Sequence, residues 1–134
     1  MNDQAKIAAF LAGGPHAVVG ASRDRAKIGN KVLRVYMQTG RAVFPVNPGA
    51  NEIEGLKAYP DLASLPEAVH GVSVITPPHV TESIVEQAGS LGVKNIWLQP
   101  GAESERAVAR AEELKMNVIS GGPCILVALG YRER

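Results

Sequence analysis

The stretch Ala17 to Pro48, AVVGASRDRAKIGNKVLRVYMQTGRAVFPVNP, decides the fold, because it reads as strand, loop, helix and strand in immediate succession. An apolar strand runs into Gly20-Ala21-Ser22, a basic loop follows, and Gly29 and Asn30 open a helix whose free amides and positive dipole end face that loop. Val32, Tyr36 and Thr39 share one face of the helix, with Leu33 and Met37 on a neighbouring one. The strand Ala42 to Val46 is almost continuously apolar, as expected of a strand buried on both faces. Small residues at the turn let a phosphate approach the backbone, so the unit reads as an anion site suited to a nucleotide. Its spacing departs from the strict dinucleotide fingerprint, since Gly20 is followed by Ala21 and Ser22 and the next glycine is Gly29. On this segment alone, a plain strand-to-helix turn that merely needs small residues competes with the nucleotide reading.

Outward from this unit the chain keeps alternating strand-like and helix-like stretches, the pattern of a parallel sheet covered on both faces. Gly71 to Ile75 is a third strand, followed by a helix with Val80, Ile84, Ala88 and Leu91 on one stripe. A fourth strand spans about Asn95 to Leu98, and the next helix carries Ala107, Ala111 and Leu114. Asn117 to Ile119 is a fifth strand before a small apolar terminal helix, and Ile7, Phe10 and Leu11 mark a short amphipathic helix at the start. Gly49 to Pro66 is a longer connection with a turn of helix near Asp61 and room for a short edge strand.

The 134 residues suffice for one buried core and are read as a single domain over 1–134. A net charge of +1 argues against a broad nucleic-acid surface. One cysteine makes no internal disulfide, no apolar run reaches the roughly 20 residues of a membrane helix, and the start lacks a signal-peptide core. We therefore expect a cytoplasmic protein that binds neither nucleic acid nor membrane.

In open α/β sheets ligands bind beyond the carboxyl ends of the strands. Here the five strands end in Gly20-Ala21-Ser22, Asn47-Pro48-Gly49, Thr76-Pro77-Pro78, Gln99-Pro100-Gly101 and Gly121-Gly122-Pro123-Cys124. Glycine and proline are common in any such turn, but five on one rim beside a basic loop favour a binding site. Arg23, Arg25, Lys27 and Lys31 suit a ligand with several phosphates, Arg23 and Lys27 being the stronger candidates. An NAD site would place a carboxylate near the end of the second strand, and this chain has Asn47 there. NADP stays open on these residues.

The motifs VVGAS at Val18 to Ser22, PVNP at Pro45 to Pro48 with Gly55 downstream, and WLQPG at Trp97 to Gly101 resemble the coenzyme A-binding domain family. These are small Rossmann-like proteins related to the N-terminal domain of the succinyl-CoA synthetase α subunit. The similarity runs from His16 to Cys124, the family's late cysteine, although the residues after it are more apolar than the charged stretch of many members. It implies a three-layer α/β fold with a five-stranded, mainly parallel sheet, for which we expect strand order 3-2-1-4-5. It also implies coenzyme A or an acyl-CoA as ligand, with the turns Gly20 to Ser22 and Asn47 to Pro48 around the nucleotide and the turn Thr76 to Pro78 packed beside it. The full set of expected binding residues is Gly20, Ala21, Ser22, Arg23, Lys27, Gly29 and Asn30 from the first unit, Asn47 and Pro48 from the second strand end, and Thr76, Pro77, Pro78 and His79 from the third. Gln99 and Gly101 complete it at the fourth, where an amide and a flexible backbone could meet an acyl or pantetheine group.

His16, His70 and His79 fall at a strand start, before a strand and at a helix start, and form no catalytic constellation with a nucleophile. His16 and His70 are expected at the surface of the opposite rim. No catalytic residue and no metal ligand is assigned, and Cys124 and Trp97 read as structural, Trp97 needing a partner for its indole nitrogen. The synthetases carry their phosphorylated histidine on another domain, so the resemblance transfers binding and not ligation, which would require a partner. Two other readings stay open: an NADP-binding oxidoreductase or redox sensor, and an interaction subunit, joined to another protein or to its own copy, without a working nucleotide site.

Overall fold

A computed structural model describes residues 2–133. Its elements follow one another as α1 (Asp3–Leu11), β1 (His16–Val19), α2 (Ile28–Gln38), β2 (Val43–Val46), β3 (Glu52–Ile53) and β4 (Leu56–Lys57). A turn of 3-10 helix at Leu62–Ser64 leads to β5 (Gly71–Val74), α3 (Pro78–Ser90), β6 (Asn95–Leu98), α4 (Glu105–Glu113), β7 (Asn117–Ile119) and α5 (Ile125–Ala128). The sheet is five-stranded and parallel throughout, in the order β2-β1-β5-β6-β7, and β3 and β4 form a separate antiparallel hairpin.

Alternation along the strands builds two cores. Ala17, Val19, Val72, Val74, Ile96 and Leu98 point to the face covered by α3 and α4, where they meet Val85, Ala88, Ala107 and Ala111. Val18, Trp97 and Ile119 point to the other face, under α1, α2, α5 and the hairpin, against Phe10, Val32, Leu33, Tyr36 and Ile53. These are the three layers that the alternating pattern predicts.

Counting only the core strands, the observed order is 2-1-3-4-5, and the expected 3-2-1-4-5 is corrected. The reason lies in the connection from residue 47 to residue 70. Its Leu62 is buried in the core of the α3 and α4 face, with Ile84 and Val85, opposite α2. A crossover between parallel strands is right-handed almost without exception. With α2 on one face, the first crossover steps from β1 to β2; a second crossover on the opposite face must step back the other way, which puts β5 on the far side of β1. The point where the order reverses therefore lies between β1 and β5, and the ends of those two strands flank the binding crevice.

Smaller expectations are also revised. His16 is 1% exposed rather than a surface residue, because its Nε2 donates to Phe10 O of α1 at 2.8 Å. Leu91 caps the C-terminus of α3 and is 47% exposed, so the buried stripe ends at Ala88. The edge strand foreseen in the long connection is a single parallel bridge, Tyr59 beside Val46, and the foreseen helical turn starts at Asp61, whose Oδ1 accepts from Ser64 N at 2.9 Å.

Candidate functional site

The junction of β1 with α2 depends on two glycines. A Cβ on Gly29 would lie 2.0 Å from Gly20 O, and one on Gly20, at φ +96°, would lie 1.9 Å from Ile75 O. Only hydrogen at both positions lets the first turn of α2 rest directly on the end of β1 while β5 closes in from the other side. The wide spacing between Gly20 and Gly29 thus answers to backbone contact across a loop rather than to the compact dinucleotide turn.

The loop between them is held by side-chain amides. Asn47 Nδ2 donates to Ala21 O at 2.8 Å, and Asn47 Oδ1 accepts from Gly49 N at 2.7 Å. Asn30 Nδ2 donates to Ser22 O at 2.8 Å. In a trans peptide the N–H points opposite to the C=O of the same unit. Drawing the Ala21 and Ser22 carbonyls inward therefore turns the N–H groups of Ser22 and Arg23 the other way.

Helix termini reinforce this polarity. α1 and α4 have side-chain caps, Asn2 Oδ1 accepting from Ala5 N and Ser104 Oγ from Ala107 N. The start of α5 is served by Gln99, whose Oε1 accepts from Ile125 N at 3.1 Å. α2 and α3, which begin after Lys27 and Pro77, have no side-chain cap. Both open onto one cavity of about 820 Å³ at the carboxyl ends of β1, β2 and β5. Uncapped first turns leave amides available to a ligand anion.

The cavity has two chemically distinct walls. Gly20, Ala21, Ser22, Lys27 and Gly29 form the polar wall, with Asn47 and Pro48 beside them. The opposite wall is apolar, built by Pro60, Leu62, Ile75, Pro77, Val80 and Ile84, with Thr76, Asp61 and Gln87 as its polar groups. Thr76 Oγ1 is paired with Thr81 Oγ1 at 2.7 Å. Val80 and Ile84 read in the sequence simply as core positions of a helix; the signal that they also face a ligand is their place in the first two turns of a helix starting at a strand end.

The other expected site residues are distributed as follows. Arg23 is exposed on the loop, Pro78 and His79 are exposed in the first turn of α3, and Gly101 is exposed beyond β6. Asn30 is fully buried beneath the loop. Gln99, 1% exposed, points toward α5, one strand further from the crevice than the expected strand order had placed it. Trp97 Nε1 donates to Pro123 O at 3.0 Å, and Cys124 is half-buried just before α5. Two residues not foreseen for the site support the loop: Arg34 Nε donates to Asn30 Oδ1 at 2.6 Å and its Nη2 to Arg25 O at 2.8 Å, and Glu54 pairs with Arg25 at 3.3 Å.

On the opposite rim a polar network fixes α1. His16 Nε2 meets Phe10 O, His70 Nε2 meets Ala9 O at 2.9 Å, Arg41 Nη1 donates to Leu11 O and Asn117 Nδ2 to Lys6 O. Burial lowers the His16 imidazole from its ordinary range, and nearby His70 and Arg41 add to this against the opposing hydrogen bond to Phe10 O. His16 and His70 thus have a structural task 1 sheet-length away from the cavity. No group of three or more metal-ligating side chains occurs among the described residues, and no helix among them is long and apolar enough to cross a membrane.

Comparison with known proteins gives consistent relatives. A family model described as a CoA binding domain matches residues 16–130. The chain is 29% identical over 119 residues to an ADP-forming acetate–CoA ligase of Archaeoglobus fulgidus, covering 81% of this chain and 17% of that protein. It is 28% identical over 112 residues to the uncharacterized protein YneT of Bacillus subtilis, covering 84% and 82%. Among solved structures, a conserved hypothetical protein of Pyrococcus furiosus superposes with a TM-score of 0.81 at 39% identity, covering 87% of this chain and 99% of that one. The chain spans between 13% and 18% of the length of the ADP-forming acetate–CoA ligases it matches.

Proposed function

The chain belongs to the CoA-binding domain family, and from that premise we propose that it binds coenzyme A or an acyl-CoA in the cavity at the ends of β1, β2 and β5, without catalytic machinery of its own. The observation that carries this reading is the convergence of two uncapped helix starts and the Gly20–Ser22 turn on one cavity with an apolar far wall. Phosphates fit the first wall, where backbone amides and the Lys27 ammonium supply donors without a competing carboxylate in the turn itself. Arg23, exposed on the same loop, supplies a second cation. The adenine ring or pantetheine arm fits the second wall, where Leu62, Val80 and Ile84 bury apolar surface at about 25 cal/mol per Å².

Asn47 counts against the dinucleotide alternative. Both ends of its amide are committed, to Ala21 O and Gly49 N, so the position where an NAD protein presents a ribose-binding carboxylate holds a group that fastens two turns together. His79, in the first turn of α3, is assigned to the phosphate or ribose part of the ligand and Gly101 to the turn nearest its distal end, whereas Gln99, buried and engaged by Ile125 N, serves the start of α5 instead of the ligand.

The test is a calorimetric titration of coenzyme A into the wild type and into an Arg23→Ala, Lys27→Ala double variant. We expect the variant to bind at least tenfold more weakly, with a flatter salt dependence, since two phosphate-directed cations are gone. Equal affinity at low salt would remove the assignment of the polar wall to phosphate.

A further inference from the structure

We propose that Glu54, at the tip of the β3–β4 hairpin, is a positioning residue for the anion loop, acting through Asn30 and without touching the ligand. This rests on the reading of the loop as the phosphate site. Glu54 adopts φ +51° and is followed by Gly55 at φ +81°, the pair of left-handed residues required in a two-residue hairpin turn. Asn-Gly or Gly-Gly satisfies such a turn at little cost, whereas Glu at the first position is strained. A strained residue that persists invites a reason in what its side chain does.

What it does is complete a chain of hydrogen bonds under the loop. Glu54 Oε2 accepts from Asn30 Nδ2 at 3.1 Å, while the same amide nitrogen donates to Ser22 O at 2.8 Å. Arg34 Nε occupies Asn30 Oδ1 at 2.6 Å, and Arg34 Nη2 holds Arg25 O at 2.8 Å. Every donor and acceptor of the buried Asn30 amide is thereby used, so its rotamer is fixed, and with it the direction of the Ser22 carbonyl. That carbonyl shares a peptide plane with the Arg23 N–H, which it turns outward. Glu54 also pairs with the Arg25 guanidinium at 3.3 Å, on the hairpin side of the loop, while Lys27 is the loop cation that lines the cavity. Without the carboxylate, the Asn30 amide loses one of the two acceptors of its Nδ2, is held only through Ser22 O and Arg34 Nε, and fixes the outward amides less firmly.

The experiment titrates coenzyme A, pantetheine and inorganic pyrophosphate into the wild type, Glu54→Gly and Glu54→Gln, and follows the Ser22 and Arg23 amide resonances by NMR. Glycine relieves the left-handed backbone, so Glu54→Gly is expected to fold with an unchanged or raised melting temperature and yet bind coenzyme A and pyrophosphate about tenfold more weakly, the scale of one charge-assisted hydrogen bond. Pantetheine, which lacks phosphate, is expected to bind as to the wild type. Glu54→Gln keeps an acceptor for Asn30 and is expected to restore affinity to within about threefold, with Ser22 and Arg23 resonances near their wild-type positions. The proposal is overturned if Glu54→Gly binds coenzyme A like the wild type, if it weakens pantetheine equally, or if Glu54→Gln loses as much as glycine does. Should the wild type bind pyrophosphate but not coenzyme A, the coenzyme reading fails while the amide resonances and pyrophosphate titration still decide the brace; should neither bind, the resonances alone decide it.

Discussion

Replacing Gly29 with alanine tests how far the site depends on the bare contact between α2 and the end of β1. The new Cβ would sit 2.0 Å from Gly20 O and 3.0 Å from Gly20 C, well inside van der Waals contact, and the obstacle is backbone rather than a side chain that can swing away. Overpacking of this kind costs about 1–3 kcal/mol, while exchanging glycine for alanine within a helix returns up to about 1 kcal/mol. The first turn of α2 is where that return is smallest, so we expect a net loss of about 1–2 kcal/mol. For a domain of this size that is a drop of roughly 4–10 °C in melting temperature, read by thermal unfolding. The helix relieves the clash by moving away from Gly20, and a shift near 1 Å in the amides of Ile28 and Gly29 is expected to weaken coenzyme A binding by roughly tenfold or more. A variant with wild-type melting temperature and wild-type affinity would refute the claim that these two glycines set the geometry of the site.

Other perturbations separate scaffold from site. The Tyr36 hydroxyl is fully buried and paired with Ser73 Oγ at 2.7 Å, and burial pushes its pKa far up; Tyr36→Phe is expected to cost about 1–2 kcal/mol in denaturant unfolding, with ligand affinity unchanged. His16 is held neutral in the folded chain, whereas the unfolded chain takes up its proton below about pH 6.5. Its share of stability is therefore full above pH 6.5 and is lost as pH falls from there toward the lowered native value, at up to about 1.4 kcal/mol per pH unit. Unfolding free energies measured between pH 7.5 and 5.5 are expected to fall less steeply in His16→Gln, and parallel curves would contradict this. Trp97→Phe removes the indole donor to Pro123 O and is expected to cost about 1–3 kcal/mol by thermal unfolding, from that carbonyl and lost packing.

The element order was legible because periodicity reports it directly: Val18 and Trp97 alternate with their neighbours between two cores, and Val80, Ile84 and Ala88 recur at helical spacing. Strand order was not, since it turns on which face the connection from residue 47 to residue 70 crosses, and nothing local to Leu62 says that its partners are Ile84 and Val85. In the site, Gly20, Ser22, Lys27 and Asn47 were legible as turn and loop chemistry next to a strand end. Glu54 and Arg34 were not, because Glu54 meets Asn30 across a fold contact and Arg34 meets it from the next turn of the same helix, beneath the loop. Signals did exist: a Glu-Gly pair where a two-residue hairpin favours Asn-Gly, and an arginine four residues after an asparagine on one helix face. Asp61 shows the same limit. It enters the cavity wall only because Tyr59 bridges to the end of β2.

The central claim, that this cavity holds coenzyme A or an acyl-CoA, is tested most directly by calorimetric titration of the purified chain with coenzyme A, acetyl-CoA, NAD and NADP under one salt condition. The account predicts saturable binding of the two coenzyme A compounds, abolished or sharply weakened in Arg23→Ala, Lys27→Ala, with no comparable heat from NAD or NADP. Binding of NADP with none of coenzyme A, or no binding by any of the four, would contradict it.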